Sequence, residues 1–333
     1  MKIMGLLPFE KEKRKLVKRY ESSTNPEYGL KPEDRTIAEL LNSGIINLDK
    51  PGGLTSHETA DIVRKIMKVK SAGHGGTLDP RVTGVLPIAL NKATRILEVF
   101  LHGGKEYVCE MKLHKEVSEK DLLKTFKKFT GTIKQLPPIK SSVKRILRER
   151  TIYYIELLEF AGRTALFRAG CEAGTYIRKL CTDMGESLGV NAHMQDLRRT
   201  KASCFKEENS ITLFELQEAM ALYEEKSDES LLRKCVMPAE AGVQHLKKVI
   251  ISDGGVAGMS YGAPLMLPGA VAVTENIENN ELIAVMSQKN ELVALGKAAM
   301  TGKEMLEKSK GICVNAYKVF IEREVYPRSW KKE

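Results

Sequence analysis

The sequence predicts an α+β fold followed by a small β-barrel, and three observations carry that expectation. Up to about residue 246, capped amphipathic helices alternate with strands of period two. From Lys247 onward the helical periodicity fades, and short apolar runs alternate with Gly and Pro turns. A length of 333 residues suits about two domains with a sizeable core.

Taken in order, residues 1 to 35 are charged and lack a periodic pattern. Lys11 to Arg19, KEKRKLVKR, is a basic cluster that reads either as a solvated tail or short surface helix, or as a contact for RNA. The opening MKIMGLLPF is too short for a signal peptide and runs into charge. No apolar run approaches the ~20 residues that span a bilayer.

Thr55-x-x-Glu58 is a capping box ahead of an apolar stripe of Ala60, Val63, Ile66 and Met67. Val82 to Leu90 is mostly apolar and reads as a buried strand. In 105–114, KEYVCEMKLH, residues Tyr107, Cys109, Met111 and Leu113 share one face, with Tyr107 leading the row at the edge of a pocket. Ser118-x-x-Asp121 opens a second helix carrying Leu122, Phe126 and Phe129, with Gly131 as its stop.

Gln135 to Arg150, QLPPIKSSVKRILRER, reads as a projecting segment. Its Lys140, Lys144, Arg145, Arg148 and Arg150 are candidates to grip phosphates; a solvated charged face is the alternative. Residues 152–160 and 163–171 form a strand pair turned at Ala161-Gly162. A helix from near Thr175 carries Ile177, Leu180, Cys181, Met184 and Leu188, and ends at Gly189. Arg178 sits in its first turn beside the apolar stripe, where a guanidinium wants a carboxylate partner. Thr212-x-x-Glu215 opens another helix with Leu213, Leu216 and Met220. In the last third, Gly254-Gly255, Gly262-Ala263-Pro264, Pro268-Gly269 and Asn279-Asn280 read as turns, and Ile283 to Met286 and Leu292 to Leu295 as short strands.

Composition adds a partner class. Lys plus Arg number 53 against 43 Asp plus Glu, a formal charge of +10 with pI near 9.1, which favours a polyanion bound in a salt-dependent way. The six cysteines (109, 171, 181, 204, 235 and 313) contain no C-x-x-C pair, and the histidines at 57, 74, 102, 114, 193 and 245 have no metal-ligand spacing. Reduced thiols in an intracellular protein and no bound metal are therefore expected.

The segment that speaks to chemistry is Gly73-His74-Gly75-Gly76-Thr77-Leu78-Asp79-Pro80. Its glycines let a backbone approach a bulky group closely. Pro80 restricts Asp79 to extended conformations, so the carboxylate is held. By itself an Asp-Pro after glycines is also an ordinary turn. No Gly-Lys-Ser/Thr and no helix follow, so the phosphate-loop and dinucleotide readings fail.

The wider context selects between these readings. Ser71 to Leu90, SAGHGGTLDPRVTGVLPIAL, resembles the signature of the TruB/dyskerin family of RNA pseudouridine synthases. NLDKPGGLTSH (47–57) is similar to that family's lysine-proline motif, and Lys105-Glu106-Tyr107 to its active-site tyrosine strand. GTYIRKL (174–180) is similar to its arginine motif, and QDLRRT (195–200) to the segment that follows. Residues 253–270, DGGVAGMSYGAPLMLPGA, resemble the core of the PUA RNA-binding domain, with Tyr261 where the family usually has histidine. The long N-terminal segment, CEAGTYIRKL and the ending Tyr326-Pro327-Arg328-Ser329-Trp330 resemble the archaeal and eukaryotic H/ACA-guided branch.

The resemblance implies a mixed or antiparallel sheet flanked by helices in residues 36–246, a PUA barrel in 247–333, and an N-terminal extension, 1–35, lying near the barrel. It implies Asp79 as nucleophile, paired with Arg178, and Tyr107 as the ring that faces the base and relays a proton. His74, Thr77, Lys50 and Leu197 would border the substrate, Lys50 more as support for the loop than as a reacting group. Lys140, Lys144, Arg145, Arg148, Arg198 and Arg199 would hold RNA. No cofactor is implied. Implied partners are an H/ACA guide RNA, ribosomal RNA, tRNA as an alternative substrate, and three small proteins: one zinc-ribbon-like, one glycine/arginine-associated and one kink-turn binder. Guide-free action on the tRNA T-loop uridine and a non-catalytic RNA-binding scaffold are the alternatives. The compartment would be an archaeal cytoplasm, or the nucleolus in a eukaryote, although Lys331-Lys332-Glu333 is too short to be the lysine-rich tail of nucleolar relatives.

Overall fold

The computed structural model describes residues 5–137 and 144–327. The chain forms two compact units, each drawn from separated stretches of sequence. The first gathers residues up to Lys11, 46–88 and 97–228; the second gathers 12–45, 89–96 and the chain from Glu229.

The first unit is built on a mixed sheet. Its strands are β1 (Gly44–Lys50), β2 (Thr83–Leu90), β3 (Lys105–Leu113), β4 (Gly131–Gln135), β5 (Arg148–Ala161), β6 (Thr164–Cys171) and β7 (Ala192–Ala202), in the order β1-β2-β7-β3-β6-β5-β4. β2 and β7 run parallel, whereas β3 is antiparallel to both β6 and β7. Three capping residues start helices where the sequence places them: Thr55 for α1 (Ser56–Ile66), Ser118 for α2 (Glu119–Phe129) and Thr212 for α4 (Leu213–Lys226). Each hydroxyl accepts from the backbone N–H three residues on. α3 (Ile177–Ser187) has no side-chain cap. The core joins the Cys109, Met111 and Leu113 row of β3 to Leu122 and Phe126 of α2 and to Ile177, Leu180, Cys181 and Met184 of α3.

β5 starts at Arg148, earlier than the sequence suggests, so Arg148 and Arg150 belong to a paired strand and not to a projection. Gln135, the last residue of β4, is also interior and only 2% exposed. Lys140 lies outside the described residues.

The second unit contains a seven-stranded sheet. Leu16–Lys18, β9 (Ala270–Thr274), β8 (Lys248–Ile251), β10 (Leu282–Ser287), β11 (Leu292–Ala298), β12 (Ile312–Val319) and Leu265–Met266 follow one another across it. Val249, Ile251, Val273, Ile283, Val285, Val293 and Val314 fill its core. The basic cluster at the chain start is no solvated tail: Leu16–Lys18 pairs antiparallel with β9, and Arg19 Nη1 donates to the carbonyls of Leu267 and Ala270 at 2.6 and 2.8 Å. Gly254-Gly255 is not a turn but lies in helix α5 (Asp253–Ser260), started by the Ser252 hydroxyl. Among the described residues no helix is long and apolar enough to cross a membrane.

Candidate active site

The loop bearing Asp79 is held from below at both neighbours. Ser56, the first residue of α1 and buried, clasps Leu78: the Leu78 N–H donates to Ser56 Oγ at 2.8 Å, and Oγ donates back to the Leu78 carbonyl at 3.2 Å. On the other side Lys50 is fully buried, and its ammonium donates to the carbonyls of Pro51, Pro80 and Val82 at 2.8, 3.0 and 2.9 Å. The Gly53 N–H adds a second bond to the Pro80 carbonyl. Asp79 itself is left on the surface with its backbone fixed on either side. Lys50 therefore supports the loop and does not border a substrate.

The glycines do a different job from the one the sequence suggests. A Cβ on Gly75 would stand 2.7 Å from Phe100 Cβ, so this glycine admits a neighbouring side chain rather than a ligand. Gly76 has φ +130°, a conformation side-chain-bearing residues avoid, and turns its carbonyl toward Arg199.

Arg178 reaches Asp79 from the first turn of α3, where Nη2 donates to Oδ2 in an ion pair. The structure thus joins two residues 99 positions apart. It does not bury them: each side chain is 53% exposed. The pair is therefore solvated in this structure rather than enclosed. α3 is itself aimed by a reciprocal amide pair: Gln135 accepts from the Tyr176 N–H at 3.0 Å and donates to the Tyr176 carbonyl at 3.2 Å.

Tyr107 leads the interior row of β3, half-buried, and lies opposite Arg199 in the pairing with β7. Burial pushes its phenol above the usual tyrosine range, against the opposing pull of the Arg199 cation, so it is neutral at pH 7. Arg199 is 1% exposed. Its Nε donates to the Val85 carbonyl at 2.7 Å and Nη2 to the Gly76 carbonyl at 3.2 Å. One buried guanidinium therefore ties the glycine loop to strand β2, opposite Tyr107 in the sheet. It cannot be a phosphate contact, which corrects the sequence reading.

Arg198 is likewise engaged. It grips Asp49 through both terminal nitrogens at 3.0 and 2.8 Å and Glu207 through Nε at 2.8 Å, so its charge is matched within the protein. Leu197 is 8% exposed and packs into the core, with little surface left for a substrate. Arg150 pairs with Glu172 at 3.8 Å. Thr77, Lys144 and Arg145 are exposed as expected. His74 is half-buried, its Nδ1 enclosed without a hydrogen-bond partner. Burial first, and then the positive field of Arg199, lower its pKa, so the ring is neutral at pH 7. Sequence reasoning missed Arg199 as an internal hub. Arg198 and Arg199 alternate to opposite faces of β7, one half-buried and one buried, and the sequence carries no mark of which is which.

An anion on a braced loop, a guanidinium aimed at it and a neutral phenol over a buried cation make a site for nucleophilic or proton-transfer chemistry on a flat substrate. Comparisons with known proteins agree. Residues 64–177 match the model of the TruB family pseudouridylate synthase N-terminal domain, 178–244 that of the tRNA pseudouridylate synthase B C-terminal domain, 247–320 the PUA domain and 6–60 the DKCLD (NUC011) domain. The chain is 50% identical over 329 residues to a probable tRNA pseudouridine synthase B of Methanosarcina barkeri, covering 99% of this chain and 97% of the relative. It is 49% identical over 331 residues to the protein so named in Pyrococcus furiosus, with the same coverage of 99% and 97%. Among solved structures it is similar to a chain of a Cbf5-Nop10-Gar1 complex, with TM-score 0.93, 50% identity, and 97% and 98% of the two chains covered. It is also similar to a chain of an H/ACA RNP bound to a substrate RNA containing 2'-deoxyuridine, with TM-score 0.92, 48% identity, and 98% and 100% covered.

Proposed function

We propose, from the premise that this chain belongs to the TruB family of pseudouridylate synthases, that it isomerises uridines of ribosomal RNA as the catalytic subunit of an H/ACA guide ribonucleoprotein. The observation that carries the reading is the ion pair between Asp79 and Arg178 on a loop braced by Ser56 and Lys50. Similarity to chains solved with Nop10 and Gar1, and within a substrate-bound H/ACA RNP, supports assembly with those two proteins and a guide RNA. A third, kink-turn-binding protein completes the proposed particle. An archaeal cytoplasm is the proposed setting, in keeping with a similar chain from an archaeal box H/ACA complex.

Uridine and pseudouridine are isomers, so the reaction needs no donor and no electron carrier. The bond from ribose C1' to N1 breaks, a bond from C1' to C5 forms, the C5 proton leaves and N1 regains one. Asp79 acts as the nucleophile, and Arg178 aims it and keeps it anionic. The neutral Tyr107 offers its ring face to the base and its phenol as a proton relay. His74 and Thr77 border the everted nucleotide. Lys144 and Arg145, exposed and basic, hold RNA phosphates. Everting a uridine costs a few kcal/mol, and a guide that pairs on both sides of the target leaves it already open.

A second reading, guide-free action on tRNA, is favoured by the name the archaeal relatives carry, tRNA pseudouridine synthase B. One assay separates the two. Purified protein is mixed with ribosomal or tRNA fragments, with and without guide RNA and partner proteins, and pseudouridine is quantified. Product on ribosomal RNA only with guide supports the first reading, and product on tRNA without guide the second. No product in any mixture leaves an RNA-binding scaffold. Asp79→Asn abolishes conversion and keeps RNA binding; turnover by that variant overturns the assignment.

A further inference from the structure

All six cysteines are free, and two of them meet in the core of the first unit. Cys109 lies midway along β3 and Cys181 in the second turn of α3. Their Sγ atoms are 3.6 Å apart, the S–H of one donating to the sulfur of the other across 72 residues of chain. Both are fully buried. The Cys181 contact first, and burial second, push the Cys109 thiol up, so it stays protonated at pH 7. Two such thiols either fill space as small apolar groups or stand ready to be joined.

Their place in the fold favours the second role. Cys181 follows Arg178 by three residues, so the two occupy neighbouring positions one turn apart on α3. A disulfide holds its sulfurs at about 2.05 Å, so closing a gap of 3.6 Å asks for about 1.5 Å of travel. Side-chain rotation can supply little of it, because Leu180 and Met184 beside Cys181 and Met111 beside Cys109 are fully buried in a close-packed core. The far end of α3 cannot advance either. Gly185 is pressed against Ala192, where a Cβ would stand 2.2 Å from the Ala192 nitrogen. The displacement falls on the first turn of α3, which carries Arg178 and has no side-chain cap. Misplacement by ~1 Å in a reacting constellation slows it by about 100-fold.

We propose that Cys109 and Cys181 are an oxidisable pair, and that their disulfide draws Arg178 away from Asp79 and arrests the site with RNA still bound. The effect on turnover rests on the RNA-modifying reading above; the disulfide itself does not. With a peroxide as oxidant the step balances. One sulfur, as its thiolate, attacks a peroxide oxygen; the O–O bond breaks, and a sulfenic acid and one water result. The other sulfur attacks the sulfenic sulfur, the S–O bond breaks and a second water leaves. Two electrons pass from the sulfurs to the peroxide, and the two thiol protons end in the waters. The second step needs no encounter, since the sulfurs already touch. Access governs the first: peroxide reaches the buried pair when the uncapped start of α3 opens. A thiol reductant reverses the bond by exchange.

The test oxidises the full chain with hydrogen peroxide, removes the peroxide, blocks remaining thiols and divides the sample. One part is digested for mass spectrometry, which is expected to find the peptides of Cys109 and Cys181 joined with the loss of two hydrogens. The other is assembled with guide RNA, substrate RNA and partner proteins. Its single-turnover pseudouridine formation is expected to fall by about 100-fold with RNA affinity unchanged, and dithiothreitol to restore the rate. Cys181→Ala, and Cys181→Val as a variant that leaves no cavity, should form no link and keep their rate through peroxide. Absence of the joined peptides, or a bridge to another cysteine such as Cys204, means that the two thiols only fill space and overturns the proposal. A joined pair with an unchanged rate overturns it as well, as does a rate loss that persists in both Cys181 variants. The mass readout needs no turnover. A chain that forms the link but makes no pseudouridine when reduced sinks the enzymatic reading and keeps the disulfide; one that makes pseudouridine and never forms the link sinks the disulfide alone.

Discussion

Lys50 braces the backbone that follows Asp79: the ammonium is 3.0 Å from the Pro80 carbonyl and 2.9 Å from that of Val82. A side chain with no exposed surface thus sets the position of one that is half exposed. Replacing Lys50 by Met keeps the stem's volume but leaves the carbonyls of Pro51, Pro80 and Val82 without their donor. The expected cost is about 2–4 kcal/mol of stability. Denaturant unfolding measures it, and a change below ~1 kcal/mol contradicts the bracing role.

Arg178 answers in the opposite way. Its ion pair is 53% exposed on both sides, so breaking it changes stability by ~1 kcal/mol or less. The same substitution misplaces the reacting carboxylate. Arg178→Lys, which loses the planar fork, is expected to slow single-turnover pseudouridine formation by about 100-fold. Thermal unfolding and a product assay on the same sample check both halves of the expectation.

Arg199→Met removes the donor shared by Val85 and Gly76 and the cation that acts on the Tyr107 phenol. A loss of about 3 kcal/mol is expected, since buried acceptors are left unmade. Tyr107→Phe leaves those two bonds in place and should cost less than Arg199→Met. A double-mutant cycle between the two positions is expected to show coupling; strict additivity would mean that the phenol and guanidinium do not interact.

His74 supplies a pH signature. Its pKa lies below the ordinary 6.5, through burial first and Arg199 second. Between the folded value and 6.5 the unfolded chain therefore binds more protons than the native one, and stability declines as pH falls through that window. His74→Gln should flatten the decline, and Arg199→Met should bring the His74 titration back toward 6.5, as followed by imidazole proton resonances.

Lys144 and Arg145 are exposed, whereas Arg198 is matched by Asp49 and Glu207. Alanine at both exposed positions should reduce the salt slope of RNA binding by about 1.4, two single-strand phosphates. Arg198→Ala should leave that slope unchanged. Fluorescence anisotropy at several salt concentrations distinguishes them, and the reverse pattern would return Arg198 to the interface.

Local signals in the sequence were read well where the physics is local. The hydroxyls of Thr55, Ser118 and Thr212 start helices because each satisfies backbone donors a few residues away. The β3 row is interior because period two puts Cys109, Met111 and Leu113 on one face. The pairing of Arg178 with Asp79 came through resemblance, and the structure places them in contact. What went astray depends on partners distant in sequence. Arg198 and Arg199 look alike as letters, yet one meets two carboxylates and the other the carbonyls of Val85 and Gly76. Gly254-Gly255 resembles a turn until Ser252 caps it into a helix.

The Leu16–Lys18 strand has a bearing on how this protein can be dissected. It occupies the outer flank of β9, and the bonds from Glu275 to Lys15 and from Arg19 to Val271 prolong the match at either end. A fragment cut at the barrel's apparent start would bare a row of amides and carbonyls on β9, an open template for other chains. Such a fragment would stick to itself in solution unless a peptide spanning Lys15–Arg19 were supplied to zip the seam shut.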